Sequence, residues 1–165
     1  MDKLLYVPNP LLRQKAKKII SVGEKELKIA KKMREVMMNA PGVGLAANQI
    51  GILKQIVTIF FVNEETKKET SYELFNPRIV EYSKEKISME EGCLSLPEQF
   101  TEIERPEKII IEYLDDKNNL KKKEAKGIES RILQHEIDHL EGKLFVDYIS
   151  PLKRNIMIKK VQKYL

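Results

Sequence analysis

The sequence predicts an α+β fold: antiparallel β-sheets packed around a central helix, with one further helix in the N-terminal half and another at the C-terminus. Three observations carry this. Apolar residues recur at helical spacing in three well separated segments. Short runs rich in β-branched and aromatic residues follow one another between them, punctuated by turn residues. Helices and strands do not alternate strictly, as a doubly wound parallel sheet would require. At 165 residues and 42% hydrophobic, one domain spanning 1–165 with an adequate core is expected.

The first helix is read over 24–40, where Leu27, Ala30, Met33 and Met37 share a face opposite lysines and arginine. Pro41-Gly42 ends it. A small-residue loop follows, from Gly42 through Val43, Gly44, Leu45, Ala46, Ala47 and Asn48 to Gln49. Strands are expected at 56–62, 72–75, 78–82, 108–113 and 120–126, the last two joined by turn chemistry at Asp115-Asp116-Lys117-Asn118-Asn119. Two more, at 86–90 and 101–105, would flank the loop around Cys93. A second helix over 128–141 buries Ile128, Ile132, Leu133, Ile137 and Leu140, and Gly142 lies where a C-terminal glycine belongs. A third, over 151–164, has Ile156, Val161 and Tyr164 spaced to pack.

Composition narrows the classes. No apolar run reaches transmembrane length, the longest being 56–62, so no membrane association is expected. The N-terminus, Met1-Asp2-Lys3-Leu4-Leu5-Tyr6-Val7-Pro8, lacks the layout of a secretory leader. One cysteine cannot form an internal disulfide, and a free thiolate suits a reducing compartment, so a cytoplasmic protein is expected. The net charge of +5 comes with lysine clusters at Lys15, Lys17 and Lys18, at Lys121 to Lys123, and at Lys159, Lys160 and Lys163. These read first as solvated faces and second as attraction to an RNA-rich surface. Basic and aromatic residues do not interleave, so neither a DNA partner nor an RNA-binding module is expected.

Chemistry concentrates in Gln134-His135-Glu136-Ile137-Asp138-His139, an H-E-x-x-H motif holding both histidines of the chain. Four residues apart on a helix, His135 and His139 can grip one ion, with Glu136 beside them as a general base. Alone the pattern is short, and a pair of surface histidines with a salt-bridging glutamate weighs equally. The apolar residues around it argue for a buried helix, where polar side chains need a reason. Cys93, in Glu91-Gly92-Cys93-Leu94-Ser95-Leu96-Pro97, is either a small buried hydrophobe or a thiolate ligand. The loop 42–49 follows a helix and precedes a strand, unlike a dinucleotide fingerprint, and has no Gly-Lys-Ser/Thr.

Taken together, the loop 42–49, Glu91-Gly92-Cys93-Leu94-Ser95 and the H-E-x-x-H segment resemble, in order and spacing, the three signature motifs of the peptide deformylases. The resemblance spans nearly the whole chain, including Asn9-Pro10-Leu11-Leu12-Arg13, Phe75-Asn76-Pro77 and Arg105-Pro106-Glu107-Lys108, and is to the compact bacterial form. It implies one divalent ion per chain held by Cys93, His135 and His139, usually Fe2+, with Zn2+, Ni2+ or Co2+ able to substitute. Ligand chemistry alone would have pointed to zinc. It implies hydrolysis of the N-formyl group from the initiator methionine of nascent chains, releasing formate. By the same resemblance, a water activated by the ion would attack the formyl carbon with Glu136 as base and then acid. Gln49 and the Leu94 backbone N–H would then stabilise the oxyanion. Gly44 would line the extended peptide, and Val43, Met89, Ile128, Arg131 and Ile132 would wall the methionine pocket, with the Arg131 stem covering the pocket and its guanidinium reaching the rim. Glu91 and Arg105 are either a brace behind the Cys93 loop or a surface ion pair. The basic C-terminal helix is a candidate ribosome contact. Two rivals stand beside this reading: an H-E-x-x-H endopeptidase recruiting Glu141 as third ligand, and a non-catalytic metal protein or ribosome-binding module.

Overall fold

Glu24–Asn39 forms helix α1, which buries Ala30, Met33 and Met37 and leaves Leu27 near the surface. In this computed structural model, residues 3–165 are described; Met1 and Asp2, which belong to the expected 1–165 domain and to the segment read for a leader, lie outside them. After α1 the chain forms β1 (Gly44–Ala46), β2 (Ile56–Val62) and β3 (Glu69–Tyr82). The hairpin β4 (Lys86–Cys93) and β5 (Leu96–Pro106) follows, then β6 (Lys108–Leu114), β7 (Leu120–Lys126), α2 (Gly127–Leu140) and α3 (Pro151–Tyr164). Five strands make one antiparallel sheet in the order β1-β2-β3-β6-β7, while β4 and β5 pair only with each other.

The segments expected at 72–75 and 78–82 are one strand. Pro77 cannot donate to a ladder, and the strand absorbs it as a bulge, its register with β6 shifting between Phe75 and Arg78. Asn76 stands there at φ 51 and clamps the backbone of Ile19 with two hydrogen bonds of 2.8 Å. β1, expected as loop, pairs with β2 through Gly44↔Ile59 to Ala46↔Val57. Three residues are too few for an alternating pattern.

Helix α2 is central. One side packs Ile132, Leu133 and Leu140 against Val57, Ile59, Leu74, Ile109 and Ile111 of the large sheet. Its other side meets the β4–β5 hairpin, so Ser130 to Glu136 are buried on every face. Gly142, just past its end, has φ 77, and a Cβ there would collide with the Arg13 carbonyl.

Helix α3 starts from Ser150, whose hydroxyl accepts from Lys153 N–H at 3.2 Å, with Pro151 at its first position. Met157 and Val161 are buried against Leu96 and Ile103 of the hairpin. Ile156 and Tyr164, expected to pack, face outward. Apolar residues occur on several faces of this helix, so its spacing alone did not fix its phase.

Asp147 ties the segment between α2 and α3 to the N-terminal part, accepting from Arg13 at 2.6 and 3.1 Å and from Leu144 N–H at 3.0 Å. Burial works against its charge, but the Arg13 guanidinium and that N–H hold its pKa below the ordinary 3.8. A depressed carboxylate adds stability above its ordinary value, lost as pH falls through the folded one. Asp147→Asn should therefore lower the urea midpoint at pH 7, and the gap from the parent should close below about pH 4. An equal gap at pH 7 and pH 3 would disprove the ionic role.

Candidate metal centre and active site

Cys93 ends β4, Leu94-Ser95 makes the two-residue turn into β5, and His135, Glu136 and His139 lie on the α2 face turned toward that turn. His139 Nε2 is 3.4 Å from Cys93 Sγ and 3.2 Å from His135 Nε2. All three donor atoms fall within 4.8 Å of one another, and this is the cluster of metal-binding side chains found among the described residues. A tetrahedral centre with ordinary bonds to nitrogen and sulfur has N···N edges of about 3.3 Å and N···S edges of about 3.5 Å, so thiolate and imidazoles fit a divalent ion. Glu141, the alternative third ligand, instead points to Lys15 at 3.7 Å with its side chain half exposed.

The His135 ring is fixed from behind. Its Nδ1 lies 2.9 Å from Glu91 Oε1, and Phe145 stacks on its face with centroids 6.0 Å apart. Glu91 accepts from Arg105 at 2.5 and 3.0 Å and from Arg131 at 2.6 Å, with all three side chains buried. Arg105 also reaches Asp138 at 2.9 Å, and Tyr148 donates to the same carboxylate oxygen at 2.7 Å. Burial opposes charge on Glu91, yet hydrogen bonds from His135 and Arg105 hold its pKa at about 2. The Glu91–Arg105 pair is thus an interior brace. A carboxylate behind a ligating imidazole fixes its tautomer and raises its basicity.

Glu136 is buried with Oε1 3.9 Å from His135 Nε2, while its Oε2 has no hydrogen-bond partner. Burial pushes its carboxyl up to about 7 against the pull of the His135 ring. A cation in the Cys93–His135–His139 cluster would draw that value down again. Gly44 on β1 touches this carboxylate: a Cβ there would stand 2.8 Å from Glu136 Oε1 and 2.9 Å from its Cγ. Sequence reasoning assigned the glycine to peptide approach; the tightest neighbour is Glu136 itself. Gly44→Ala should displace the carboxylate and lower kcat about tenfold or more with little loss of folding stability. An unchanged kcat would show that Glu136 has slack.

Gln49 sits in a single 3-10 turn, Ala47–Ile50, with its side chain buried. Its Oε1 accepts from Ala46 N–H at 3.0 Å, and its Nε2 donates to Ser95 Oγ at 3.1 Å and toward Cys93 Sγ at 3.5 Å. Gln49 thus reaches the Cys93 thiol from one chain segment while His135 and His139 reach it from another.

A cavity of about 530 Å³ opens on this cluster, lined by Val43, Gly44, Ile128, Arg131 and Ile132 with Cys93, Leu94, His135 and Glu136. Two expectations need correction. Met89 is not in the wall: it is flanked on β4 by Ile87 and Glu91, both held by the Arg131 guanidinium. That guanidinium does not reach the rim. It turns inward and also donates to the Ile103 carbonyl at 2.7 Å, because the buried Glu91 charge lies within its reach. The roles of Ser95, Phe145 and Tyr148 had no signal in the sequence beyond nearness to the motifs.

Residues 1–155 match the polypeptide deformylase family. A peptide deformylase of Pelagibacter ubique is 45% identical over 163 residues, spanning 99% of this chain and 94% of that protein. The crystal structure of the peptide deformylase from Ehrlichia chaffeensis superposes with a TM-score of 0.94 at 38% identity, covering 98% of this chain and 95% of that one. The same protein in complex with actinonin superposes with a TM-score of 0.93, covering 98% and 96%. No helix among the described residues is long and apolar enough to cross a membrane. Motifs, fold and relatives agree, and the chain belongs to the peptide deformylase family, metal-binding hydrolases that take the formyl group off nascent polypeptides.

Proposed function

We propose that residues 1–165 act as one catalytic domain that removes the N-formyl group from initiator formyl-methionine and releases formate. The observation that carries this reading is the convergence of Glu136, with an unpartnered buried carboxylate oxygen, on the Cys93–His135–His139 cluster at the floor of an apolar-walled cavity. Cys93, His135 and His139 would hold the ion, which we take to be Fe2+, with Zn2+, Ni2+ or Co2+ as substitutes. Such an ion lowers the pKa of a bound water and polarises the carbonyl.

The protein's own groups do the rest. Glu136 takes the proton of the water that attacks the formyl carbon and returns it to the amine nitrogen as the C–N bond breaks. Gln49 Nε2 and the Leu94 backbone N–H meet the charge that develops on the formyl oxygen. Gly44 offers its backbone to the extended peptide. Val43, Ile128 and Ile132 clasp the methionine side chain, with the Arg131 stem behind them. That the Ehrlichia chaffeensis relative forms a complex with actinonin supports a ligand-binding role for this fold.

We infer a cytoplasmic protein, because a thiolate donor survives best under reducing conditions. Lys159, Lys160 and Lys163 are exposed on α3 and remain the candidate ribosome contact; Arg154 is partly engaged with Asp147 at 3.8 Å.

The test is formate release from formyl-methionyl peptides by ion-loaded protein, with metal content measured on the same sample. A formyl-norleucyl peptide should turn over with a modest penalty, a formyl-aspartyl peptide should be rejected, and an acetyl-methionyl peptide should be nearly inert. The acetyl methyl would crowd the carbon that Gln49 and Leu94 enclose. Comparable turnover of acetyl and formyl peptides would refute the reading.

A further inference from the structure

We propose that Ser95 is a positioning residue for the reaction, acting through Gln49; the proposal rests on Gln49 being an oxyanion donor. The Gln49 side chain must present one N–H toward the site in a fixed direction, since a donor gains its catalytic value from being oriented before charge appears. The amide is held at both ends. Ala46 N–H pins Oε1 at 3.0 Å, and Ser95 Oγ takes one Nε2 hydrogen at 3.1 Å. That leaves the second Nε2 hydrogen aimed at Cys93 Sγ, 3.5 Å away, the side on which the reacting carbonyl would lie. Both Gln49 and Ser95 are buried, so no solvent competes for these bonds.

Ser95 is itself fixed. Val7 N–H donates to the Ser95 carbonyl at 3.1 Å, and Leu5 N–H donates to the Gln49 carbonyl at 2.7 Å. One extended N-terminal segment thus crosses both loops and sets the distance between them. With the two backbones tied to one strap, the Ser95 hydroxyl meets the Gln49 amide from a single direction. Without that hydroxyl, only the Ala46 N–H restrains the amide, and the direction of its free N–H loosens about the last torsion.

The experiment is a double-mutant cycle with Ser95→Ala and Gln49→Ala, measuring kcat and KM for a formyl-methionyl peptide, with metal content and thermal midpoint on each sample. Ser95→Ala alone should lower kcat about 10- to 100-fold with KM and metal content unchanged. In the Gln49→Ala background the same change should have almost no effect on kcat, because nothing is left to position. Ser95→Ala lowering kcat by the same factor in both backgrounds, or lowering it only in step with the thermal midpoint, overturns the proposal and leaves the role of Gln49 standing. A Gln49→Ala protein with unchanged kcat overturns both.

Discussion

Glu136→Ala is expected to keep its ion and lose roughly 10²–10⁴-fold in turnover, the range typical of a missing general base. Glu136 is not among the three clustered side chains, its Oε1 lies 3.9 Å from His135 Nε2, and its Oε2 is buried without a hydrogen-bond partner. Cys93→Ala should do the reverse at the binding step, removing the only thiolate and lowering metal occupancy, because two imidazoles alone make a poor catalytic site. Glu136→Gln separates charge from shape: it fills the same space beside Gly44 and should be as slow as the alanine variant. If Glu136→Ala loses its ion while Cys93→Ala keeps both ion and rate, the roles assigned here are wrong.

Glu91→Leu is expected to cost about 3–5 kcal/mol of folding stability, the penalty of leaving buried charge without its counter-charge. Glu91 faces two guanidinium groups, both buried, and Arg131 has no other acidic partner among its hydrogen bonds. Arg105 keeps Asp138, so the loss should fall mostly on the Arg131 side. Arg131→Met combined with Glu91→Leu should recover part of the deficit, since a buried pair replaced by apolar groups is often near neutral. Urea unfolding of the two single variants and the double variant decides it; additive losses would show that the two side chains do not depend on each other.

Several elements were legible in the chain because local rules and tertiary packing agree. The strand at 56–62 and the C-terminal helix at 151–164 have the bounds expected from spacing and turn residues, and α1 and α2 differ from expectation by one residue at their ends. The exceptions are places where tertiary contacts outweigh local pattern. Pro77 reads as a break but sits in a bulge that Asn76 closes from the side. The phase of α3 depends on which apolar face meets the hairpin. At the site, residue types and spacing pointed to Cys93, His135 and His139, which the structure brings together, and to Glu136 beside them, but a charged side chain in a pocket wall was expected to seek water. Arg131 goes inward because Glu91 supplies a stronger partner there than the solvent does, and no linear pattern encodes that.

The proposed donor set joins a hairpin residue to helix residues synthesised later: Cys93 and His139 are 46 positions apart. At roughly 5–20 residues per second, the thiol is made about 2–9 s before the last imidazole. Until His135 is made, four positions before His139, the growing chain would offer an ion only the thiol of this set, too few donors for selective capture. Capture of an ion by all three side chains would thus be a late event, timed by completion of α2.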